Sequence, residues 1–347
     1  MTLSLYVDAA RWRAHQRAVL AEFPGLVPVA KGNGYGFGNG LLAGEAGLLR
    51  AADGRVDCLA VGTAYEAADA AGRYEGELLV LTPYRTGEES PELPRRVLRT
   101  VAHVEALRAL PPGSRVVVEC MTSMRRHGIG PADLGRLPVD SVTLEGFALH
   151  LPLDRPDGSD PVAEVAHWVR AIGAAGLPAR TVFLSHLGSA DLARLARQFP
   201  ATFFRSRIGT RLWLGEIGAL ESRATVLDVT PVARGDRYGY RQHKAPSDGH
   251  LLVVTGGTAH GVGLEAPKYV HGMVPRAKGL ARAGLATVNR TLSPYAWAGR
   301  QLWFAEPPHM QVSILFLPGD TKAPSIGDEL SLNVRHTTTH FDRVVLR

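Results

Sequence analysis

Eight short apolar or β-branched runs, divided by amphipathic or alanine-rich stretches, fill the chain between about residues 9 and 218. They are Val27–Lys31, Asp57–Val61, Glu77–Thr82, Arg99–Ala102, Arg115–Cys120, Thr143–His150, Thr181–His186 and Thr202–Arg207. Strands separated by helical segments cannot pair through tight hairpins, so they run parallel with helical crossovers. Eight such units at this length predict a closed (β/α)8 barrel rather than an open sheet. The Gly-x-Gly-x-x-Gly fingerprint of a dinucleotide fold fails at every register of the glycine cluster at 32–40.

After about residue 219 the period changes. Arg223–Val229, His250–Thr255, Met310–Leu317, Glu329–Val334 and Asp342–Leu346 are short alternating or β-rich runs set off by Gly, Pro and Asp. The expectation is a barrel over residues 9–218 and a mainly-β domain over residues 219–347, with residues 1–8 pairing with the latter and a hinge near Leu214-Gly215-Glu216-Ile217-Gly218. The total of 347 residues suits two domains, each with its own core. There is no run of about eighteen apolar residues, and the first residues lack the basic-then-apolar plan of a signal peptide, so the reading is a cytoplasmic protein with no membrane span. Cys58 and Cys120 cannot build a disulfide framework and read as small core residues. A net charge of +6 does not by itself argue for nucleic acid. Most of that excess lies in Lys268, Arg276, Lys278, Arg282, Arg290 and Arg300, opposed locally by Glu265 alone. That stretch is either an anion-facing surface or a solvated loop.

In such a barrel chemistry collects at the C-terminal ends of the strands. Lys31 stands there, in Val29-Ala30-Lys31-Gly32-Asn33-Gly34-Tyr35-Gly36. A partly desolvated amine loses its proton readily and attacks an aldehyde, although a strand end with a solvated lysine is the alternative. Tyr35 can offer a hydroxyl to a phosphate. Arg126 follows the fifth run, His150 ends the sixth, Ser189 follows the seventh and Arg207 ends the eighth. Ser189 with the backbone N–H groups of Gly209 and Thr210 makes a phosphate cradle where a strand turns into a helix. These motifs, in this order over nearly the whole chain, resemble the alanine racemases, enzymes built on pyridoxal 5'-phosphate (PLP).

On that cofactor, Arg207 would hydrogen-bond the pyridine nitrogen and keep it unprotonated, His150 would orient Arg207, and Arg126 would bond the phenolic oxygen. The resemblance implies a homodimer with shared sites, in which Lys31 and Tyr238 of the partner subunit, from Arg237-Tyr238-Gly239-Tyr240, act as bases on opposite faces of an amino-acid substrate. It also implies Arg126 and Met310 near the substrate carboxylate.

The departures are as specific as the matches. Glu119 stands where the family often has a carbamylated lysine steadying the fifth-strand arginine, here Arg126. Thr258 replaces an aromatic, Gln311 an acid, and no counterpart of the tail tyrosine occurs in residues 335–343. Roughly two dozen extra residues carry the basic stretch. His336 and His340 are expected on a strand, about 13 Å apart, which disfavours a metal site. The function expected is an amino-acid racemase of this type. The alternatives are a racemase or epimerase of a larger amino acid or derivative, and a non-catalytic PLP-binding protein. A basic amino-acid decarboxylase would want a carboxylate at the pyridine nitrogen, against Arg207, and a barrel for a phosphorylated metabolite leaves Lys31 and Tyr238 idle.

Overall fold

The computed structural model describes residues 2–264 and 291–347. The chain divides into two compact units, one of residues 13–34 and 38–215, the other of residues 1–12, 35–37 and 216–347.

The first unit is a closed barrel of eight parallel strands: β2 (Val27–Ala30), β3 (Cys58–Val61), β4 (Glu77–Val80), β5 (Val97–Val101), β6 (Arg115–Glu119), β7 (Thr143–His150), β8 (Thr181–Ser185) and β9 (Phe203–Ile208). The ring closes where Val27 of β2 pairs with Arg207 of β9. Helices α2 (Asn39–Ala52), α3 (Ala64–Ala70), α4 (Val104–Arg108), α5 (Pro161–Ala174), α6 (Ser189–Gln198) and α7 (Thr210–Leu214) follow individual strands, and α1 (Ala9–Glu22) leads into β2. The expected alternation fails twice. Pro83, Pro91 and Pro94 punctuate the segment between β4 and β5, which forms no helix because proline lacks the N–H that a helix interior needs. Between β6 and β7 there are only short 3₁₀ turns. Outside the barrel, Val162, Val165, Trp168, Val169 and Ile172 of α5 pack on Phe147, Leu149, Val182 and Leu184, the outward residues of β7 and β8.

The second unit is built on antiparallel β structure. Its strands are β1 (Leu3–Val7), β10 (Leu220–Val232), β13 (Gly249–Thr255), β14 (Leu292–Trp297), β15 (Arg300–Phe304), β16 (Val312–Pro318), β17 (Glu329–Leu332) and β18 (Arg343–Leu346), with a small hairpin of β11 (Arg237–Tyr238) and β12 (His243–Lys244). The sheet order is β13-β16-β15-β14-β17-β10-β1-β18, and β13 also pairs with β10. β1 lies between β10 and β18, antiparallel to the first and parallel to the second. Leu3, Ala224, Val226, Leu252, Val254, Leu315, Leu317 and Leu330 form its core, around the buried ring of Tyr295. β14 and β15 have no counterpart among the runs expected from sequence. The segment Arg335–His340 is also not a strand: Thr338 donates its N–H to the Arg335 carbonyl at 2.9 Å, closing a turn.

Candidate active site

Successive side chains on a strand point to opposite faces, so residues i and i+2 share one. Val27, Val29, Cys58, Ala60, Leu79, Leu98, Val117, Ala148 and Phe183 fill the barrel interior. Lys31, Glu119 and His150 each stand two residues past one of these, namely Val29, Val117 and Ala148. Arg207 stands two past Arg205, whose guanidinium lies 5.7 Å from the centre of the Phe183 ring. The four therefore continue the inward rows to the C-terminal ends of the strands, and the pleat explains why they meet. At the other end of its row Arg205 donates to the carbonyls of Gly25 and Arg55 and pairs with Asp57 at 2.6 Å.

Arg207 is the buried centre of the group. Its Nη1 lies 3.5 Å from Glu119 Oε2, with both side chains less than 5% exposed. Its Nη2 donates to the Leu149 carbonyl at 3.1 Å. Glu119 thus meets Arg207 and not Arg126, which corrects the expectation from sequence. The carboxylate is on the inward face of β6, whereas Arg126 is exposed on the loop beyond it and contacts His127 at 3.4 Å. Nor does the His150 ring hold Arg207; the neighbouring carbonyl of Leu149 does. Burial pulls the Arg207 guanidinium down from its usual value, with Glu119 opposing. Its Nε is buried with no hydrogen-bond partner.

Lys31 follows β2 and remains exposed. Desolvation at the strand end, then Arg126 and Arg207, push its ammonium below the ordinary lysine value, and Glu66 resists. Glu66 also ties two strand ends together: Oε1 accepts the Gly32 N–H at 3.1 Å and Oε2 the Gly62 N–H at 2.7 Å. Behind β2, the buried indole of Trp213 donates to the Val29 carbonyl at 2.8 Å.

His150 meets a group that sequence reasoning passed over. His186, just after β8, sets its ring edge-on to His150 at 5.0 Å and 84°. Desolvation, Arg207, Arg126, His186 and Lys31 drive the His150 imidazole down to about 3. Desolvation and the same three cations lower His186. Both rings are consequently neutral at physiological pH, in a mouth whose fixed charges favour an anion. The position of His186 at a strand end was legible, but its left-handed backbone, φ 62°, was not.

Ser189 opens α6, and its hydroxyl donates to Glu22 Oε1 at 3.1 Å. The other oxygen of Glu22 takes Arg211, a pairing that holds the carboxyl below its usual range. Gly209 caps α7, and Thr210 is its first residue. The proposed phosphate donors Ser189, Gly209 and Thr210 thus lie at two helix starts, with the acceptor of the serine already supplied by a carboxylate.

The remaining expected residues belong to the β unit. Tyr35 adopts φ 55° and is buried, which pushes its phenol up to about 12 and keeps it a donor. Tyr238, half-buried on β11, packs against Leu251, Ala305 and Phe316. Burial and then Glu306 raise its phenol above the ordinary value. Met310 is exposed and lines a groove of about 430 Å³ with Tyr240, Arg241, Thr258, Glu306 and His309. Of the basic stretch, Lys268, Arg276, Lys278, Arg282 and Arg290 lie outside the described residues, while Arg300 pairs with Asp320 at 3.1 Å. Among the described residues, no group of three or more His, Cys, Asp or Glu could hold a metal ion, and no helix is long and apolar enough to cross a membrane.

The family model described as alanine racemase, N-terminal domain, matches residues 7–215. No curated protein sequence matches the chain. Among solved structures, the biosynthetic alanine racemase of Pseudomonas aeruginosa is 20% identical, covers 96% of this chain and 91% of its own, and superposes with a TM-score of 0.63. The alanine racemase of Bartonella henselae with covalently bound pyridoxal phosphate is 18% identical, with coverages of 97% and 91% and a TM-score of 0.67. That of D-cycloserine-producing Streptomyces lavendulae is 20% identical, with coverages of 96% and 87% and a TM-score of 0.62.

Proposed function

The chain belongs to the alanine racemase family, and from that premise we propose that it is a PLP-dependent amino-acid racemase. The observation that carries the reading is Arg207 Nε, a buried donor without a partner in the middle of the cationic barrel mouth. A pyridine nitrogen is an acceptor of the kind that would satisfy it, so the residues fit the group. Bound PLP supplies an electron sink that acidifies the substrate Cα–H.

The protein then has to hold that group and move protons. Lys31, with its depressed ammonium, is the residue to carry the cofactor and to serve as base on one face of Cα. Tyr238 of the partner subunit, with a phenol held protonated, returns a proton to the other face. Arg207 donates to the ring nitrogen, and its permanent charge keeps that nitrogen unprotonated, which restrains the sink and limits side reactions. Arg126 takes the phenolic oxygen and, with Met310, faces the substrate carboxylate. Ser189, the N–H groups of Gly209 and Thr210, and Tyr35 would hold the phosphate. His150 lies beside this set as a neutral ring. The working assembly is a homodimer in the cytoplasm.

A substrate larger than alanine is favoured by one observation. Thr258 and Met310 border an open groove where an aromatic would narrow it. The test is a screen of D- and L-amino acids in D₂O with PLP present. Loss of optical rotation together with deuterium at Cα supports the reading. Absence of exchange for every amino acid, despite a visible band that borohydride removes, would leave a PLP-binding protein without racemase activity.

A further inference from the structure

We propose that Glu306 is a positioning residue for the segment Tyr238-Gly239-Tyr240, fixing the turn that presents the phenol of Tyr238. The inference rests on the proposed role of Tyr238 as second base. Glu306 follows β15 and its side chain is 3% exposed. Oε2 accepts the backbone N–H of Tyr240 at 2.9 Å, and Oε1 accepts from His309 Nε2 at 2.7 Å. The ring of His309 in turn lies 4.7 Å from that of Tyr240. Gly239, at φ 70°, leaves the space the carboxylate occupies, since a Cβ there would collide with it. One buried carboxylate therefore joins the turn that carries Tyr238 to the strand-exit segment that carries Met310.

Burying a carboxylate is costly unless its lone pairs are used, and here a backbone N–H and an imidazole N–H use them. The carboxylate also acts at a distance on Tyr238, whose phenol it helps to hold protonated after burial has done most of that work. His243 on β12 also faces Tyr238, its ring 6.3 Å away. The fixed direction serves Tyr238 in both directions of the reaction, whereas the retained proton serves it only when it delivers one.

Glu306→Gln and Glu306→Ala separate the two. The amide keeps an acceptor for the Tyr240 N–H and removes the charge, whereas alanine removes both. The first readout is the ultraviolet titration of tyrosinate, taken for each variant as the difference from the same protein carrying Tyr238→Phe. It needs neither substrate nor cofactor. Tyr238 should ionise at lower pH in both variants. The second readout is α-deuterium exchange from each enantiomer of an amino acid that the wild type turns over. Glu306→Ala, which alone loses the acceptor of the Tyr240 N–H, should slow exchange from the Tyr238-facing enantiomer by roughly ten- to a hundredfold relative to Glu306→Gln, with the Lys31-facing enantiomer much less affected. An unmoved Tyr238 titration in both variants overturns the proposal, and so does equal slowing of the two enantiomers. If the wild type exchanges no amino acid, the racemase reading fails while the titration still decides whether Glu306 acts on Tyr238.

Discussion

Lys31 and Arg207 lie at the ends of neighbouring strands at one barrel mouth, and the guanidinium disfavours the ammonium. Desolvation, then Arg126 and Arg207, lower the Lys31 ammonium, so its amine should react with an aldehyde at lower pH than an ordinary lysine does. With PLP added and borohydride applied, peptide mass mapping should place the adduct on Lys31, and an adduct confined to another lysine would refute its role. Glu119 answers for the buried guanidinium. Glu119→Ala leaves that charge unpaired and should cost about 3–5 kcal/mol in urea unfolding, as breaking a buried pair does. A loss below about 1 kcal/mol, the range of exposed pairs, would mean the pair is solvated. His150 supplies a pH prediction. Its folded pKa of about 3 lies below the free histidine value, so in the acid range the unfolded chain binds a proton the native one does not. Stability is therefore lost as pH falls from about 6.5 toward 3. His150→Gln should flatten that acid limb; a limb as steep as in the wild type would show that the ring is solvated.

At the scale of elements, the site is a consequence of the pleat. Lys31, Glu119, His150 and Arg207 were legible from sequence because each prolongs an inward row of its strand. Their partners were not. Whether Glu119 meets Arg207 or Arg126 depends on how deep each side chain sits, which spacing along the chain does not encode. The Ser189–Glu22 contact spans 167 positions and has no local signal. The strands of the barrel were legible from apolar runs, but β14 and β15 were hidden by Pro294, which argues against a strand, and by the basic segment before them. Arg335–His340 reads as a strand and folds as a turn because threonine favours both β structure and side-chain capping of turns. Glu66 gives the element-scale prediction. By joining the Gly32 and Gly62 amides it holds the ends of β2 and β3 in register. Glu66→Gln loses one acceptor and the charge, so the Gly32 and Gly62 amides should exchange hydrogen faster and Lys31 should deprotonate at still lower pH. Unchanged exchange at both glycines would show that Glu66 is not the tie.

At the scale of the whole molecule, the proposed account has the cationic barrel mouth of one subunit share a site with Tyr238 of the partner subunit. Family membership motivates that proposal, and the buried unpartnered donor of Arg207 motivates the cofactor. The most direct test mixes Lys31→Ala and Tyr238→Phe subunits after dissociation, with heterodimers quantified by native mass spectrometry. With random pairing in a two-fold dimer, about a quarter of the sites regain both bases, and racemisation should return to about that fraction of wild type from two inactive parents. Heterodimers that form in the expected amount and remain inactive would contradict the shared-site, two-base account.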